Sequence, residues 1–133
     1  MLKRILVVDD NSTCRDILAE LFEEKYEIIQ ASNGLEAINA LSIQLGKIEA
    51  ILLDIVMPTM DGFEFLKEFN KKAWNHKVPV IIVSSADDKE SRQRCHELGV
   101  NYFIAKPYDV NEAITTIEKA IRDFDLLNSN LMP

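Results

Sequence analysis

Within its 133 residues the sequence shows little that would direct export, membrane anchoring or a disulfide framework, and none of the three is expected. No apolar run approaches the roughly 20 residues needed to cross a bilayer, so no membrane association is expected. The amino terminus, MLKRILVVDD, places basic residues before an apolar stretch that is too short for a signal-peptide core and ends in two acids. Cysteine is scarce. Cys14 and Cys95 fall on expected helices without CxxC spacing, which favours a reduced, cytoplasmic setting and packing roles over a disulfide framework. Basic residues are outnumbered, 15 Lys and Arg against 22 Asp and Glu, for a formal charge of -7. Such a chain repels phosphate backbones, and direct nucleic-acid binding is not expected. Neither G-x-x-x-x-G-K-[ST] nor G-x-G-x-x-G occurs, which removes the nucleotide-binding readings. His76 and His96 lie among polar residues and are read as surface groups. Partners should therefore be proteins or a cation.

What is present is the composition of a soluble globular domain, 47% hydrophobic and 28% charged, at a length that fits one domain with a single sizeable core. Hydrophobic periodicity alternates strictly between strand and helix. KRILVV (3–8) is a β-branched apolar run, followed by Cys14, Ile17, Leu18, Leu21 and Phe22 at helical spacing. A short strand at 27–30 leads through Asn33-Gly34 to a helix marked by Ala37, Ile38, Leu41 and Leu45, stopped near Gly46. A third strand at 50–53 precedes a helix over 62–72, with Phe63, Leu66 and Phe69 for its inner face. VPVIIV (78–83) is the most strand-like segment. The helix expected over 87–98 has a weak apolar face, chiefly Cys95 and Leu98, and should be the least firmly held. A fifth strand at 102–105 is followed by a helix capped at Asp109 and carrying Ile114, Ile117, Ile121 and Phe124. The spacing predicts one α/β domain over 1–127 and a frayed tail, NSNLMP, over 128–133. Strands that read as continuous apolar runs indicate a parallel sheet covered on both faces, a three-layer (βα)5 sandwich of flavodoxin-like order 2-1-3-4-5.

In such sheets ligands bind beyond the carboxyl ends of the strands. There the sequence places Asp9-Asp10-Asn11 after strand one, Asp54 after strand three, Ser84-Ser85 at strand four and Lys106-Pro107 after strand five. Each has an ordinary explanation. Asp9, Asp10, Asn11 or Ser12 could cap the first helix, Asp54 could begin a turn, a serine could cap the fourth helix, and Lys106 could be a solvated loop lysine. Two adjacent acids exceed what a cap requires, and the joint occurrence at one edge points to a site. Three carboxylates in a partly buried cleft require a neutralising charge. All-oxygen ligands without clustered His or Cys suit a hard ion, and few protein ligands with room for water suit Mg²⁺ better than a caged Ca²⁺. The opposing lysine then suits a further anionic group, such as a phosphoryl group.

VVDDN, LLDIVMPTMDG, PVIIVSSA and AKP, in this order, resemble the receiver domain of two-component response regulators over residues 3–125. The resemblance implies that Asp54 is the phospho-acceptor and that Asp9, Asp10 and Asp54 hold Mg²⁺ with the backbone carbonyl of Val56. Ser84 would bind the phosphoryl oxygens and Lys106 would pair with them, making Asp54, Lys106 and Ser84 the catalytic set. The Lys106-Pro107 bond would be cis. The donor would be a sensor histidine kinase, a phosphotransfer protein or a small acyl phosphate. Ser84 and Phe103 would be the switch residues, coupling the site to a partner face on helix four, strand five and helix five that docks a downstream protein. Phe103 has no hydroxyl, so an inward state would be selected by packing. Val56 and Ala86, at positions that tune hydrolysis, cannot orient a water, which suggests a long-lived phosphoryl state. Trp74, after helix three, should report the site poorly.

Two rival readings fit the sequence less well. A haloacid-dehalogenase-like enzyme needs D-x-D after strand one, and position 12 is serine. A receiver-like adaptor that binds a partner without phosphorylation has no need for Asp9, Asp10, Asp54, Ser84 and Lys106 together. The sequence leaves open a phosphorylation-dependent homodimer, and whether the chain works alone or is part of a longer regulator.

Overall fold

The structure, a computed structural model, describes residues 3–131. β1 (Arg4–Val8) is the second strand of a five-stranded, all-parallel sheet of order β2-β1-β3-β4-β5, with β3 at its centre. β2 is Glu27–Ala31, β3 Ile48–Leu53, β4 Val80–Ser84 and β5 Tyr102–Ala105. The crossovers are helical: α1 (Ser12–Phe22), α2 (Gly34–Gln44), α3 (Gly62–Lys71) and α4 (Lys89–Glu97), with α5 (Val110–Leu131) after the last strand. This is the expected flavodoxin-like architecture.

The pleat of β1 explains the three layers. Successive side chains point to opposite faces of a strand. Ile5 and Val7 enter a core with Leu18 and Phe22 of α1 and Ala113, Ile117 and Ala120 of α5. Leu6 and Val8 enter the other core, with Ala37 and Leu41 of α2 and Phe63, Phe65, Leu66 and Phe69 of α3. Burying one such aliphatic or aromatic side chain is worth about 1.5–3 kcal/mol. The sheet is thus held from both sides, leaving its carboxyl edge to carry function.

Several boundaries differ from the periodicity. β3 begins at Ile48, because a short 3-10 turn (Leu45–Lys47) brings the chain straight from α2 into pairing with Arg4. α4 is shorter than 87–98, since the Asp88 carboxylate accepts from the Ser91 N–H and fixes the start. The segment read as a frayed tail continues α5 as far as Leu131: no glycine or proline interrupts DLLNSNL. Met132 and Pro133 lie outside the described residues.

α4 buries only Cys95, as its sparse apolar face suggested. Its other holds are polar. The Arg94 guanidinium lies 3.8 Å from the centre of the Phe63 ring and that of Arg92 lies 4.3 Å from Phe103, while Asn70 Nδ2 donates to the Leu98 carbonyl at 2.8 Å. His76 and His96 are exposed, Cys14 is half-buried, and burial pushes the Cys95 thiol up to about 11. Among the described residues no helix is long and apolar enough to cross a membrane.

Candidate functional site

Strand register builds the site. Val8 pairs with Leu53, so Asp9 and Asp54 leave the sheet side by side, with the Asp54 N–H donating to the Val8 carbonyl at 2.9 Å. Leu6, Val8, Ile51 and Leu53 all belong to the α2/α3 core, and alternation turns the residue after each strand end to the opposite side. Ser84 pairs with Ala105, and the Lys106 N–H donates to the Ser84 carbonyl at 3.0 Å. Four chain segments distant in sequence therefore end at one rim.

There, one oxygen from each of Asp9, Asp10 and Asp54 lies within 4.8 Å of the others. Asp10 is exposed, whereas Asp9 and Asp54 are buried, at 2% and 8% exposure. Asn11 provides the cap of α1, its side chain accepting from the Cys14 N–H at 3.0 Å, which frees both aspartates from that duty. The two buried carboxylates are held by backbone. Asp54 Oδ1 accepts from the Ile55 N–H at 2.7 Å and Asp9 Oδ1 from the Asn11 N–H at 2.9 Å. Lys106 Nζ stands 2.6 Å from Asp9 Oδ2 and 3.5 Å from Asp54 Oδ2. Burial alone would lower the Lys106 ammonium, but its hydrogen bond to Asp9 and the charges of Asp54 and Asp9 outweigh burial and raise it above the ordinary lysine value. The lysine is a permanent cation at neutral pH.

The remaining candidates lie on or just beyond β3, β4 and β5. Ser84 is fully buried, and its Oγ accepts from the Ala86 N–H at 3.2 Å, leaving the hydroxyl proton free to donate elsewhere. The Lys106-Pro107 bond is cis. The Val56 side chain is 65% exposed at the mouth of the loop after Asp54. Phe103 is half-buried on β5, opposite Ile82 and beneath Arg92.

The loop from Ile55 to Asp61 is tightly fastened. Gly62 N–H donates to the Ile55 carbonyl at 2.8 Å, and a Cβ on Gly62 would lie 2.7 Å from both the Asp54 carbonyl oxygen and Ile55 Cα. Asp61 and Glu64 form a reciprocal capping box at the start of α3. At the loop tip Met60 N–H donates to the Pro58 carbonyl at 2.7 Å, closing a three-residue turn. Its central residue, Thr59, sits at φ 67, an unfavourable region for a β-branched side chain. The Met60 carbonyl then accepts from the Gly34 N–H at 2.9 Å, tying the loop to α2.

Two features escaped the sequence reading. Arg15 Nη1 donates to the Asp9 carbonyl at 2.7 Å; its placement in the first turn of α1, where a cation is disfavoured, was the available signal. Next to Lys106 lies an apolar depression of about 370 Å³ lined by Cys14, Ile17, Leu18, Pro107, Tyr108 and Val110. Ile17 and Val110 are each 45% exposed.

Chemically the rim offers three carboxylate donors with neither His nor Cys among them, a set that fits a hard divalent cation. Beside it stand an ammonium and a hydroxyl suited to anionic oxygens. A family model described as response regulator receiver domain matches residues 5–118. The chain is 35% identical over 131 residues to sporulation initiation phosphotransferase F of Bacillus subtilis strain 168, covering 98% of this chain and 99% of that protein. It is 35% identical over 121 residues to response regulator RR06 of Streptococcus pneumoniae serotype 2, covering 90% of this chain but only 54% of that relative. Among solved structures, the CheX-CheY-BeF3-Mg+2 complex from Borrelia burgdorferi contains a chain of TM-score 0.79 and 28% identity, covering 88% of this chain and 87% of that one. The chain belongs to the family of response regulator receiver domains, the phosphorylation-dependent signalling modules of two-component systems.

Proposed function

We propose that this receiver domain is switched by phosphorylation of Asp54, with Mg²⁺ held by Asp9, Asp10, Asp54 and the backbone carbonyl of Val56. The observation that carries the reading is the gathering of Asp54 with Asp9, Asp10 and the Lys106 ammonium at one strand edge. Asp54 is fixed by a buried strand and by the Ile55 N–H, so its carboxylate is presented in one orientation for in-line attack on phosphorus. An oxygen–phosphorus bond forms to Asp54 while the bond from phosphorus to the donor's imidazole nitrogen breaks, and that nitrogen leaves with the electron pair. Lys106 and the Ser84 hydroxyl bind the transferring oxygens, whose charge they offset. Bound Mg²⁺ supplies the remaining positive charge and a template for those oxygens.

The donor is a phosphohistidine on a sensor kinase or phosphotransfer protein, or a small acyl phosphate. A donor protein needs a place to rest, and the apolar depression beside Lys106 lies within reach of the acceptor. Replacing Ile17 by Glu should slow transfer from a protein donor and leave transfer from acetyl phosphate unchanged.

Phosphorylation adds about -1.5 to -2 of charge and draws Ser84 toward it. The shift passes through the loop after β4 to Phe103 and to the α4/β5/α5 face, which receives the downstream protein. The test is incubation with Mg²⁺ and acetyl phosphate, read by intact mass. One added phosphate that is lost in Asp54→Asn supports the reading; an unmodified chain leaves the non-phosphorylated adaptor. For the switch, amide exchange across residues 84–108 should change with a phosphoryl mimic, and unchanged exchange would remove it.

A further inference from the structure

Every oxygen of Asp9 has a partner: Oδ1 the Asn11 N–H, Oδ2 the Lys106 ammonium, and the main-chain carbonyl the guanidinium of Arg15. The third is unusual. Arg15 lies in the first turn of α1, a turn that holds no acidic residue, and a cation there opposes the helix dipole. It also stands close to a cluster of three carboxylates without pairing with any of their side-chain oxygens. Instead its Nη1 donates to the Asp9 carbonyl and its Nε donates to Gln30 Oε1 at 2.9 Å. Gln30 Nε2 in turn donates to Asp16 Oδ1 at 3.2 Å. The guanidinium thus bridges β2 and the peptide that joins Asp9 to Asp10, and its own orientation is set by the Gln30 amide.

That peptide is the one whose rotation would swing Asp10. Asp10 is exposed and no side-chain hydrogen bond holds it among those of the described residues, so its direction depends on the backbone on either side. We propose that Arg15 is a positioning residue for the divalent-cation site: by clamping the Asp9 carbonyl it keeps the Asp9 and Asp10 carboxylates aimed at one point. The inference rests on the functional reading above and goes beyond it, because that reading assigns no role to Arg15.

Charge and position predict opposite results, which makes the idea testable by direct Mg²⁺ titration of the intact chain. If Arg15 acted only as a nearby positive charge, Arg15→Met would bind Mg²⁺ more tightly and Arg15→Lys would match the parent. If it acts by position, both should bind about tenfold more weakly, the lower end of the effect seen when a partner that orients metal ligands is removed. A lysine keeps the charge but cannot bridge Gln30 and the Asp9 carbonyl with one planar group. Gln30→Ala should weaken binding in the same direction by a smaller factor, and it carries the test with Arg15→Lys should Arg15→Met fail to fold. Thermal unfolding in EDTA reports folding separately. Phosphorylation by acetyl phosphate at saturating Mg²⁺ should recover in the variants, which a general loss of structure would not allow. Unchanged or tighter binding in Arg15→Lys and Gln30→Ala overturns the positioning role alone. Absence of binding in the parent, or binding that survives Asp10→Asn combined with Asp54→Asn, overturns the functional reading itself.

Discussion

Lys106 Nζ lies closer to Asp9 Oδ2 than to Asp54 Oδ2, 2.6 Å against 3.5 Å. In this state the lysine is engaged chiefly by a carboxylate proposed to hold the metal, and only secondarily by the proposed acceptor. A divalent cation held there would therefore compete with the ammonium for Asp9.

Lys106→Met removes the competitor while preserving length. Mg²⁺ affinity should rise by roughly tenfold, since a hydrogen bond to a charged group is worth about 1.5 kcal/mol or more. Phosphorylation by acetyl phosphate should fall even at saturating Mg²⁺. Calorimetric titration beside a mass-based rate measurement separates the two effects, and weaker binding in the variant would contradict the competition.

Gly62→Ala should be costly for reasons of space alone. The added methyl would meet the Asp54 carbonyl oxygen and Ile55 Cα at 2.7 Å, both of them backbone. We expect a loss of about 1–3 kcal/mol in urea unfolding, as for overpacked sites, together with slower phosphorylation as the strand end beneath Asp54 shifts.

Tyr102 gives a pH signature. Burial, then its hydrogen bond to Asp123 Oδ2 at 2.6 Å, push its hydroxyl up to about 12 from an ordinary 10.0. The folded state holds this proton more tightly than the unfolded chain. The associated stability is fully present below pH 10 and is lost as pH rises toward 12. Ultraviolet titration should show Tyr102 ionising late, and Tyr102→Phe should remove that late step. Ionisation of every tyrosine near the ordinary value would contradict the contact.

Val56 is 65% exposed and Ala86 is partly exposed, and neither side chain can orient a water toward a phosphorylated Asp54. The phosphoryl group should be long-lived, and Val56→Gln should shorten its lifetime several-fold by supplying an amide. Chasing the phosphorylated protein by mass after desalting measures both. Rapid loss from the parent would refute the expectation.

Much of this fold was legible. Strand–helix alternation follows from apolar spacing, and Ala37 and Leu41 or Ile117 and Ile121 fall on inner faces as their periodicity required. Asp9, Asp10, Asp54 and Lys106 were identifiable because strand ends of a parallel sheet converge at one edge. Other features were not. Four residues could have capped α1, and only the backbone shows that Asn11 does so. The polar attachment of α4 through Arg92 and Arg94 leaves no mark in a search for apolar stripes. Helix α5 outran the expected boundary because its inner apolar face weakens before the helix ends.

The division has a physical basis. Element type and the order of chemical groups depend on neighbours a few positions away, through side-chain spacing, caps and chain reversals, so the linear chain carries them. Which oxygen accepts the Lys106 hydrogen bond, whether a methyl fits at Gly62, and where the Arg15 guanidinium lands depend on ångström differences between segments as far as 97 positions apart. Those distances exist only once both layers of helices have closed on the sheet.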